Sequence, residues 1–359
     1  MLRLIAISVL MVSLAACAEG QQGEPMAEGA GQPSMDGATA YREGITALEA
    51  EDYFTAADRF RTGTEAGHVP SMVELAKLYE TGDGVIRDQS EAARLYQKAA
   101  DAGDVFAQNR LGDFYHQGRG VPRDGVKAAQ YWRLAAEAGN AEAQGKLGYA
   151  YENGVGVPFS FEEAAVWYRK AVDQNDYGAA VNLARLYQTG QGVPRNYESA
   201  AQLYQTAANG GELDAMYRLG LLYSEGLGVP QSYGIAFEWW TQGARGGNAA
   251  SQAALGHAYH DGLGVEIDHD AAMSWWQKAS DLMDPDAMVA LASHYSESNV
   301  VHHDLAQSYH YYTLAMEVLP IGPQRDQVNF TRNNLGRRMS GAQIERAQNL
   351  SSAWRAARS

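Results

Sequence analysis

Apolar positions recur along the chain with a period of 36 residues. Each of seven consecutive units carries a leucine at the same place and a tyrosine four residues later. Because side chains at i and i+4 lie on one face of an α-helix, this pair predicts an amphipathic first helix in every unit. The leucines are Leu75, Leu111, Leu147, Leu183, Leu219, Leu255 and Leu291, and the tyrosines are Tyr79, Tyr115, Tyr151, Tyr187, Tyr223, Tyr259 and Tyr295.

A second apolar stripe predicts a second helix in the unit. An alanine and an aromatic residue again lie four residues apart, as in Ala92 and Tyr96 or Ala128 and Trp132. Immediately after each leucine of the first helix comes a glycine or an alanine, as at Gly112. Glycine costs a helix roughly 1 kcal/mol relative to alanine, so its presence there indicates that the second helix crosses closely at that point.

Glycines and short polar residues mark the ends of the predicted helices. A Gly-x-Gly-Val segment, as at 118–121, separates the two helices of a unit; its first glycine suits the left-handed position that ends a helix, and a proline after it favours extended backbone. Side chains that can cap a helix N-terminus precede the predicted helices. Those before second helices are Asp88, Asp124, Ser160, Asn196, Ser232, Asp268 and Asp304; those before first helices are Asp104, Asn140, Asp176, Asn248 and Asp284, with Glu212 as a weaker substitute.

One such unit cannot fold alone. It buries about four large side chains worth roughly 1.5–3 kcal/mol each, against roughly 1 kcal/mol or more of entropy for each ordered residue. Stacked neighbours supply the missing burial, which is how a solenoid is stabilised. We therefore predict an all-α protein, an α/α superhelical solenoid of 36-residue helical hairpins.

The repeat pattern weakens at both ends of the array. Residues 39–67 keep the alanines and the aromatic residue one period before the first full unit, and we interpret them as a diverged N-terminal capping repeat. The solenoid itself should span residues 68–319. Residues 320–359 predict C-terminal capping helices, the last of which opens with Ser340 and Gln343 in a capping box.

The first residues have the composition of an export signal. Arg3 precedes an apolar stretch, Leu4 to Leu14, that is too short to span a bilayer. The single cysteine, Cys17, follows Leu14-Ala15-Ala16, a sequence that resembles the bacterial lipobox. The resemblance implies a signal peptide over 1–16 and a lipidated Cys17, with residues 17–38 as a flexible tether because they hold almost no large apolar side chain. The alternative is an ordinary secreted protein with an incidental thiol.

The spacing Leu-Gly-x-x-Tyr, then Gly-x-Gly-Val-Pro, then Ala-Ala-x-x-Tyr/Trp-x-x-x-Ala resembles the Sel-one-like repeat, a relative of the tetratricopeptide repeat. The resemblance implies a tetratricopeptide-like solenoid, and members of the family are mostly adaptors that assemble other proteins or assist export and envelope processes. Joined to a lipid anchor, it implies a non-enzymatic scaffold that faces the periplasm, in envelope assembly or polysaccharide export. Ala18 stands where lipoproteins retained in the inner membrane carry an aspartate, which favours the outer membrane.

Composition and charge narrow the choice of partner. Hydrophobic residues make up 46% of the chain, which excludes a disordered protein. The formal net charge is -15 and no run of Lys and Arg is present, so nucleic acid is not expected as a partner. The predicted partners are proteins or peptides of the cell envelope, with the membrane reached through the lipid anchor.

The surface that would receive a partner follows from the predicted stacking. In tetratricopeptide-like arrays the first helices line a concave groove, and the positions beside the Leu/Tyr stripe point into it. Tyr149, Arg185 and Tyr217 are the predicted central anchors, because aromatic and arginine side chains dominate binding hot spots. The alternative is a merely solvated face. The full predicted set is Asn109, Asp113, Tyr149, Arg185, Tyr217, Leu221 and His257.

The sequence carries no recognisable motif for catalysis or cofactor binding. No Ser/His/Asp or Cys/His arrangement stands apart from the repeat, so we expect neither an enzyme nor a cofactor. Seven of the nine histidines lie in the last units, and His257 and His260 could share a helix face with Asp261 or His294 nearby. Because no recognised metal spacing such as His-Glu-x-x-His is present, no metal site is predicted.

Two pairs of adjacent tryptophans suggest a different function. Trp239 with Trp240, and Trp275 with Trp276, could stack on sugar rings if both members of a pair were exposed, although one of each pair is expected in the core. A glycan- or peptidoglycan-binding receptor is therefore the alternative function, followed by a cell-wall-active enzyme.

Overall fold

The computed structural model describes residues 36–297 and 303–358, and all regular secondary structure in these ranges is α-helical. The predicted all-α solenoid is confirmed. The first helices of successive hairpins are α1 (Gly37–Glu49), α3 (Val69–Thr81), α5 (Val105–Gln117), α7 (Ala141–Asn153), α9 (Tyr177–Thr189), α11 (Leu213–Glu225), α13 (Ala249–Asp261) and α15 (Pro285–Ser296). The second helices are α2 (Tyr53–Glu65), α4 (Gln89–Asp101), α6 (Gly125–Glu137), α8 (Phe161–Val172), α10 (Tyr197–Asn209), α12 (Tyr233–Arg245), α14 (His269–Asp281) and α16 (Leu305–Val318). Two further helices are α17 (Pro323–Gly336) and α18 (Gly341–Ala356).

The predicted N-caps are confirmed. In α4, for example, the Asp88 carboxylate accepts hydrogen bonds from the backbone N–H groups of Ser90 and Glu91 at 2.9 and 3.1 Å. Glu212 makes no side-chain cap bond to α11, as expected of the weaker substitute. Ser340 and Gln343 form the predicted capping box at the start of α18. Because each boundary is fixed locally, the lengths of α1 to α16 vary only between 12 and 14 residues.

The two glycines of each hairpin loop have different structural roles. Gly118 ends α5 with φ 73°, the left-handed conformation predicted for it. Gly120, with φ 64°, lies so close to the preceding hairpin that a Cβ atom would be 2.1 Å from the backbone oxygen of Gln89. Each loop therefore packs on the start of the second helix of the unit before it. This inter-repeat contact was not anticipated from the sequence.

The two helices of a hairpin cross where the sequence predicted. A Cβ atom on Gly112 would lie 2.4 Å from Cδ1 of Trp132, so no larger residue fits without movement. The residue of the first helix at this crossing point varies in size with the aromatic residue that faces it from the second helix. Units with tryptophan carry glycine (Gly112, Gly220 and Gly256 opposite Trp132, Trp240 and Trp276), whereas alanine occurs only in units with tyrosine (Ala76, Ala184 and Ala292 with Tyr96, Tyr204 and Tyr312).

Hydrogen bonding follows the same division. Tyr96 donates to Glu80 at 3.1 Å and Tyr168 donates to Glu152 at 2.8 Å, so a tyrosine in the second helix is paired with an acceptor at the residue after the tyrosine of the first helix. In two of the tryptophan units that position holds a histidine whose ring lies against the indole, His116 on Trp132 and His260 on Trp276. Two units follow neither arrangement, since Trp240 donates to the backbone oxygen of Tyr217 and the Tyr312 hydroxyl is bonded to that of Ser293.

The hairpins stack into an inner and an outer layer. Each second helix packs against the first helices before and after it, and the buried core runs between the layers as a chain of apolar clusters. First helices also contact one another directly, α7 with α9, α11 with α13 and α13 with α15. The first helices therefore form the inner layer, and the second helices form the outer one.

The ends of the array are closed by helices that depart from the repeat. α1 and α2 pack on α3, and α17 and α18 both pack on α16. The predicted signal peptide, Cys17 and the tether up to residue 35 lie outside the described residues. None of the described helices combines the length and the apolarity that crossing a membrane requires.

Candidate partner-binding groove

The predicted groove residues lie on the inner layer, but their surroundings differ along its length. Asn109 and Asp113 on α5 are buried and bonded within the chain. The amide of Asn109 donates to Glu142 at 2.9 Å, and Asp113 accepts from the indole of Trp132 at 3.1 Å and pairs with Lys146 at 2.7 Å. These two side chains join neighbouring repeats, so little of either is available to a partner.

Ion pairs continue this pattern over the first half of the inner face. Arg110 and Arg119 both pair with Glu80, and Arg185 pairs with Glu152 of the preceding unit. The guanidinium of Arg185 is thus already engaged. Tyr149 is 43% exposed, and its ring makes an edge contact with that of His116. Tyr149 is therefore the predicted anchor most open to solvent in this half.

A pocket of about 530 Å³ opens in the second half of the inner face. Its walls come from α11, α13 and α15, three successive first helices. Three predicted residues, Tyr217, Leu221 and His257, line it together with Trp240 and Trp276 from the second helices. The structure thus brings these three predicted residues to one concave, largely apolar site.

The rim of this pocket is acidic. Asp261, Asp284, Asp286 and Glu297 line it, and no Lys or Arg is found among the described residues around it. The groove walls withdraw groups from solvent, which raises the pKa of Tyr217 and of the Asp284 carboxyl and lowers the pKa of His257. His257 is nevertheless exposed on one side, and its ring lies against that of Trp276. An apolar floor with a negative rim suits a ligand that is apolar at its tip and positively charged beside it.

A group of possible metal ligands lies at one end of this pocket. One ligand atom from each of His260, His294 and Glu297 falls within 4.8 Å of the others. The sequence had suggested His257 and His260 with Asp261 or His294 nearby, and the described group keeps His260 and His294 but has Glu297 in place of His257. Sequence reasoning missed Glu297 and the nearby His269, because their approach depends on how the sixth and seventh units stack.

The paired tryptophans do not form an exposed platform. Trp240 and Trp276 are 4% and 2% exposed, which confirms that one of each pair is core. Trp239 is half-buried, and the Lys278 ammonium lies 3.9 Å from the ring centroid of the half-buried Trp275. The hypothesis that these tryptophans stack on sugar rings therefore loses its support.

Comparisons with known proteins agree with this architecture. The protein-family model of the Sel1 repeat matches seven segments: 69–104, 105–140, 141–176, 178–212, 213–248, 249–282 and 285–317. The chain is similar to the crystal structure of c5321, a protective antigen of uropathogenic Escherichia coli with an SLR fold, at 29% identity and a TM-score of 0.74, covering 89% of this chain and 68% of that one. It is also similar to a Sel1 repeat protein from Oxalobacter formigenes at 30% identity and a TM-score of 0.62, covering 67% of this chain and 96% of that one. No curated protein matches the chain.

Proposed function

Because the chain belongs to the Sel1 repeat family, whose members are generally protein-interaction scaffolds, we propose that it binds partner proteins of the bacterial cell envelope through its inner groove and catalyses no reaction. The observation that carries this proposal is the pocket formed by α11, α13 and α15. It is the part of the predicted groove where aromatic and apolar side chains face outward together instead of being closed by ion pairs.

The pocket chemistry specifies what the partner should offer. Tyr217, Leu221 and Trp276 provide an apolar floor of the kind that receives a hot-spot side chain. The carboxylates at the rim favour Lys or Arg next to that side chain, and they steer a basic segment towards the groove in a salt-dependent way. We therefore propose that the ligand is a peptide segment with an apolar residue flanked by basic ones.

Membrane attachment through Cys17 forms the second part of the proposal. The lipobox-like sequence before Cys17 supports it, and acyl chains on that residue would hold the solenoid at the membrane with the groove free. The scaffold would face the periplasm, with the outer membrane favoured, and serve envelope assembly or polysaccharide export.

Site-specific crosslinking in native membranes tests the groove. A photoreactive phenylalanine analogue replacing Tyr217 should give a discrete crosslinked partner, whereas the same analogue replacing Val166, which is 43% exposed on the outer layer, should not. Asp286→Lys should weaken the crosslink at Tyr217, and Asp83→Lys in a distant loop should leave it intact. Equal crosslinking at both positions would contradict a groove-specific partner. Pelleting of the purified chain with peptidoglycan sacculi, or their hydrolysis, would instead support the glycan-binding or the enzymatic alternative.

The anchor is tested separately. Cys17→Ser should abolish labelling of the chain with radioactive palmitate and move it from the membrane to the soluble fraction. Retention in the membrane without label would show that attachment does not depend on lipid at this residue. The result does not bear on the groove, so the two parts of the proposal can fail independently.

A further inference from the structure

The seventh unit departs from the repeat at a position that is otherwise apolar. The residue three after the conserved leucine is buried in every unit, and it is Leu78, Phe114, Ala150, Leu186, Leu222 or Ala258 in the first six. In the seventh unit this position holds His294, which is only 1% exposed. The fold is satisfied by apolar side chains at this place, so it does not itself require a histidine.

Two more histidines lie beside it. His260 lies in the last turn of α13, and its ring centroid lies 5.9 Å from that of His294. His269 is the first residue of α14, where the two preceding units carry Tyr197 and Tyr233; its ring centroid lies 5.1 Å from His260 and 5.8 Å from His294. Three imidazoles from three helices therefore meet between the sixth and seventh units.

The donor set and its spacing match a transition-metal site. Ligand atoms of His260, His294 and Glu297 lie within 4.8 Å of one another, and the ligands of a tetrahedral zinc ion are about 3.4 Å apart, so metal binding would draw these side chains closer together. Asp261 lies 2.7 Å from Nδ1 of His260, a carboxylate partner of the type that orients a ligating histidine. Nitrogen ligands with one carboxylate favour Zn²⁺ or a similar ion over Ca²⁺ or Mg²⁺.

We propose that His260, His294 and Glu297, with His269 as the adjacent fourth donor, bind one divalent transition-metal ion of the Zn²⁺ class. The site joins α13, α14 and α15 at the end of the pocket, and the bound ion ties the seventh unit to the sixth. This inference goes beyond the proposed function and does not depend on a partner in the groove.

The experiment is a titration of the purified full chain, prepared without a histidine tag, with ZnCl₂ in a calorimeter and with Co²⁺ in a spectrophotometer. We expect one ion per chain, the visible absorption of tetrahedral Co²⁺, and a higher Tm with Zn²⁺ than with a chelator. His294→Leu restores the residue of Leu78, Leu186 and Leu222, and His260→Gln restores that of Gln188, so both variants should fold. Each should weaken binding by at least about 10-fold, because loss of a ligand costs no less than loss of an outer-shell partner.

His116→Gln is the matched control. His116 occupies the same place in its unit and lies against Trp132 as His260 lies against Trp276, but its ring neighbours among the described residues are Trp132 and Tyr149 rather than other histidines. Its replacement should leave the affinity and the Co²⁺ spectrum unchanged. Absence of Zn²⁺ and Co²⁺ binding by the unmodified chain would overturn the proposal. So would equal weakening by His116→Gln and His294→Leu, which would indicate non-specific surface binding.

Discussion

Where the two helices of a hairpin cross, the size of the first-helix residue matches the aromatic residue of the second helix. This match predicts that adding one methyl group at a glycine opposite tryptophan destabilises the array. In an open helix position, Gly→Ala stabilises by up to about 1 kcal/mol through helix propensity. At Gly220 in α11 the added Cβ would lie 2.3 Å from Nε1 of Trp240, a side chain that is 4% exposed and donates a hydrogen bond to the backbone oxygen of Tyr217 at 3.2 Å. Trp240 therefore has little freedom to move away.

Overpacking of a rigid core costs about 1–3 kcal/mol against a propensity gain of up to about 1 kcal/mol, so we expect Gly220→Ala to destabilise the array by up to about 2 kcal/mol. Combining it with Trp240→Tyr in one chain would reproduce the alanine and tyrosine pairs of two other units, Ala76 with Tyr96 and Ala184 with Tyr204. In the Trp240→Tyr background, Gly220→Ala should therefore be neutral or stabilising. Any cost of the new tyrosine hydroxyl is common to both variants that carry Trp240→Tyr and cancels in the double-mutant cycle.

Urea unfolding followed by circular dichroism measures the four corners of this cycle, and the coupling should amount to about 1–3 kcal/mol. Gly234→Ala in α12 is the control, because its Cβ would meet no atom within 4 Å; it should stabilise slightly or have no effect. If Gly220→Ala stabilised the tryptophan-containing chain as much as Gly234→Ala does, the close approach would not set residue size at this position.

Three further predictions concern pH, loops and caps. Burial, reinforced by the Arg355 guanidinium and opposed by Glu317, lowers the pKa of His310 to about 4. Between pH 4 and the ordinary value of 6.5, His310 therefore binds more protons in the unfolded chain than in the folded one. Its contribution to the free energy of unfolding is fully present above pH 6.5 and is lost, by about 3 kcal/mol, as the pH falls towards 4. The resulting fall in the urea midpoint should be smaller in His310→Gln. Gly120→Ala should lower the urea midpoint strongly, because the Cβ would meet the Gln89 backbone, whereas Gly103→Asn, where nothing lies within 4 Å, should be mild; equal effects would refute the loop contact. Glu212→Ser should stabilise by about 1 kcal/mol in the same assay by supplying the missing cap of α11, and no gain would show that the N–H groups there are already satisfied.

The fold was predictable because its determinants are local and repeated. Leucine and tyrosine at i, i+4, glycine at the end of the first helix and Asp, Asn or Ser before the next helix each act within one turn or one hairpin. Seven copies average out local exceptions such as Glu212. The role of the second loop glycine was missed because its contact joins residues of different units, as when Gly120 approaches Gln89.

The candidate site was less predictable for the same reason. Tyr217, Leu221 and His257 were assigned to the inner face from the repeat register alone, and all three line one pocket. Register could not show that Asp113 is held by Trp132 and Lys146, or that Arg185 is held by Glu152, since these bonds depend on side-chain reach between helices. Whether a variable position is open or engaged is a property of the stacked array.

Differences between units are therefore the informative part of this sequence. A residue shared by all units serves stacking, so its replacement in one unit must be explained by something other than the fold. In the first half of the array the variable inner positions are explained by ion pairs such as Lys146 with Asp113. In the last units an apolar pocket with an acidic rim and a group of three histidines occupy neighbouring places between α11 and α15. Since the two features share a wall, an ion bound by His260 and His294 would fix the end of the pocket, and partner binding and metal binding would then be coupled by a mutual change in affinity.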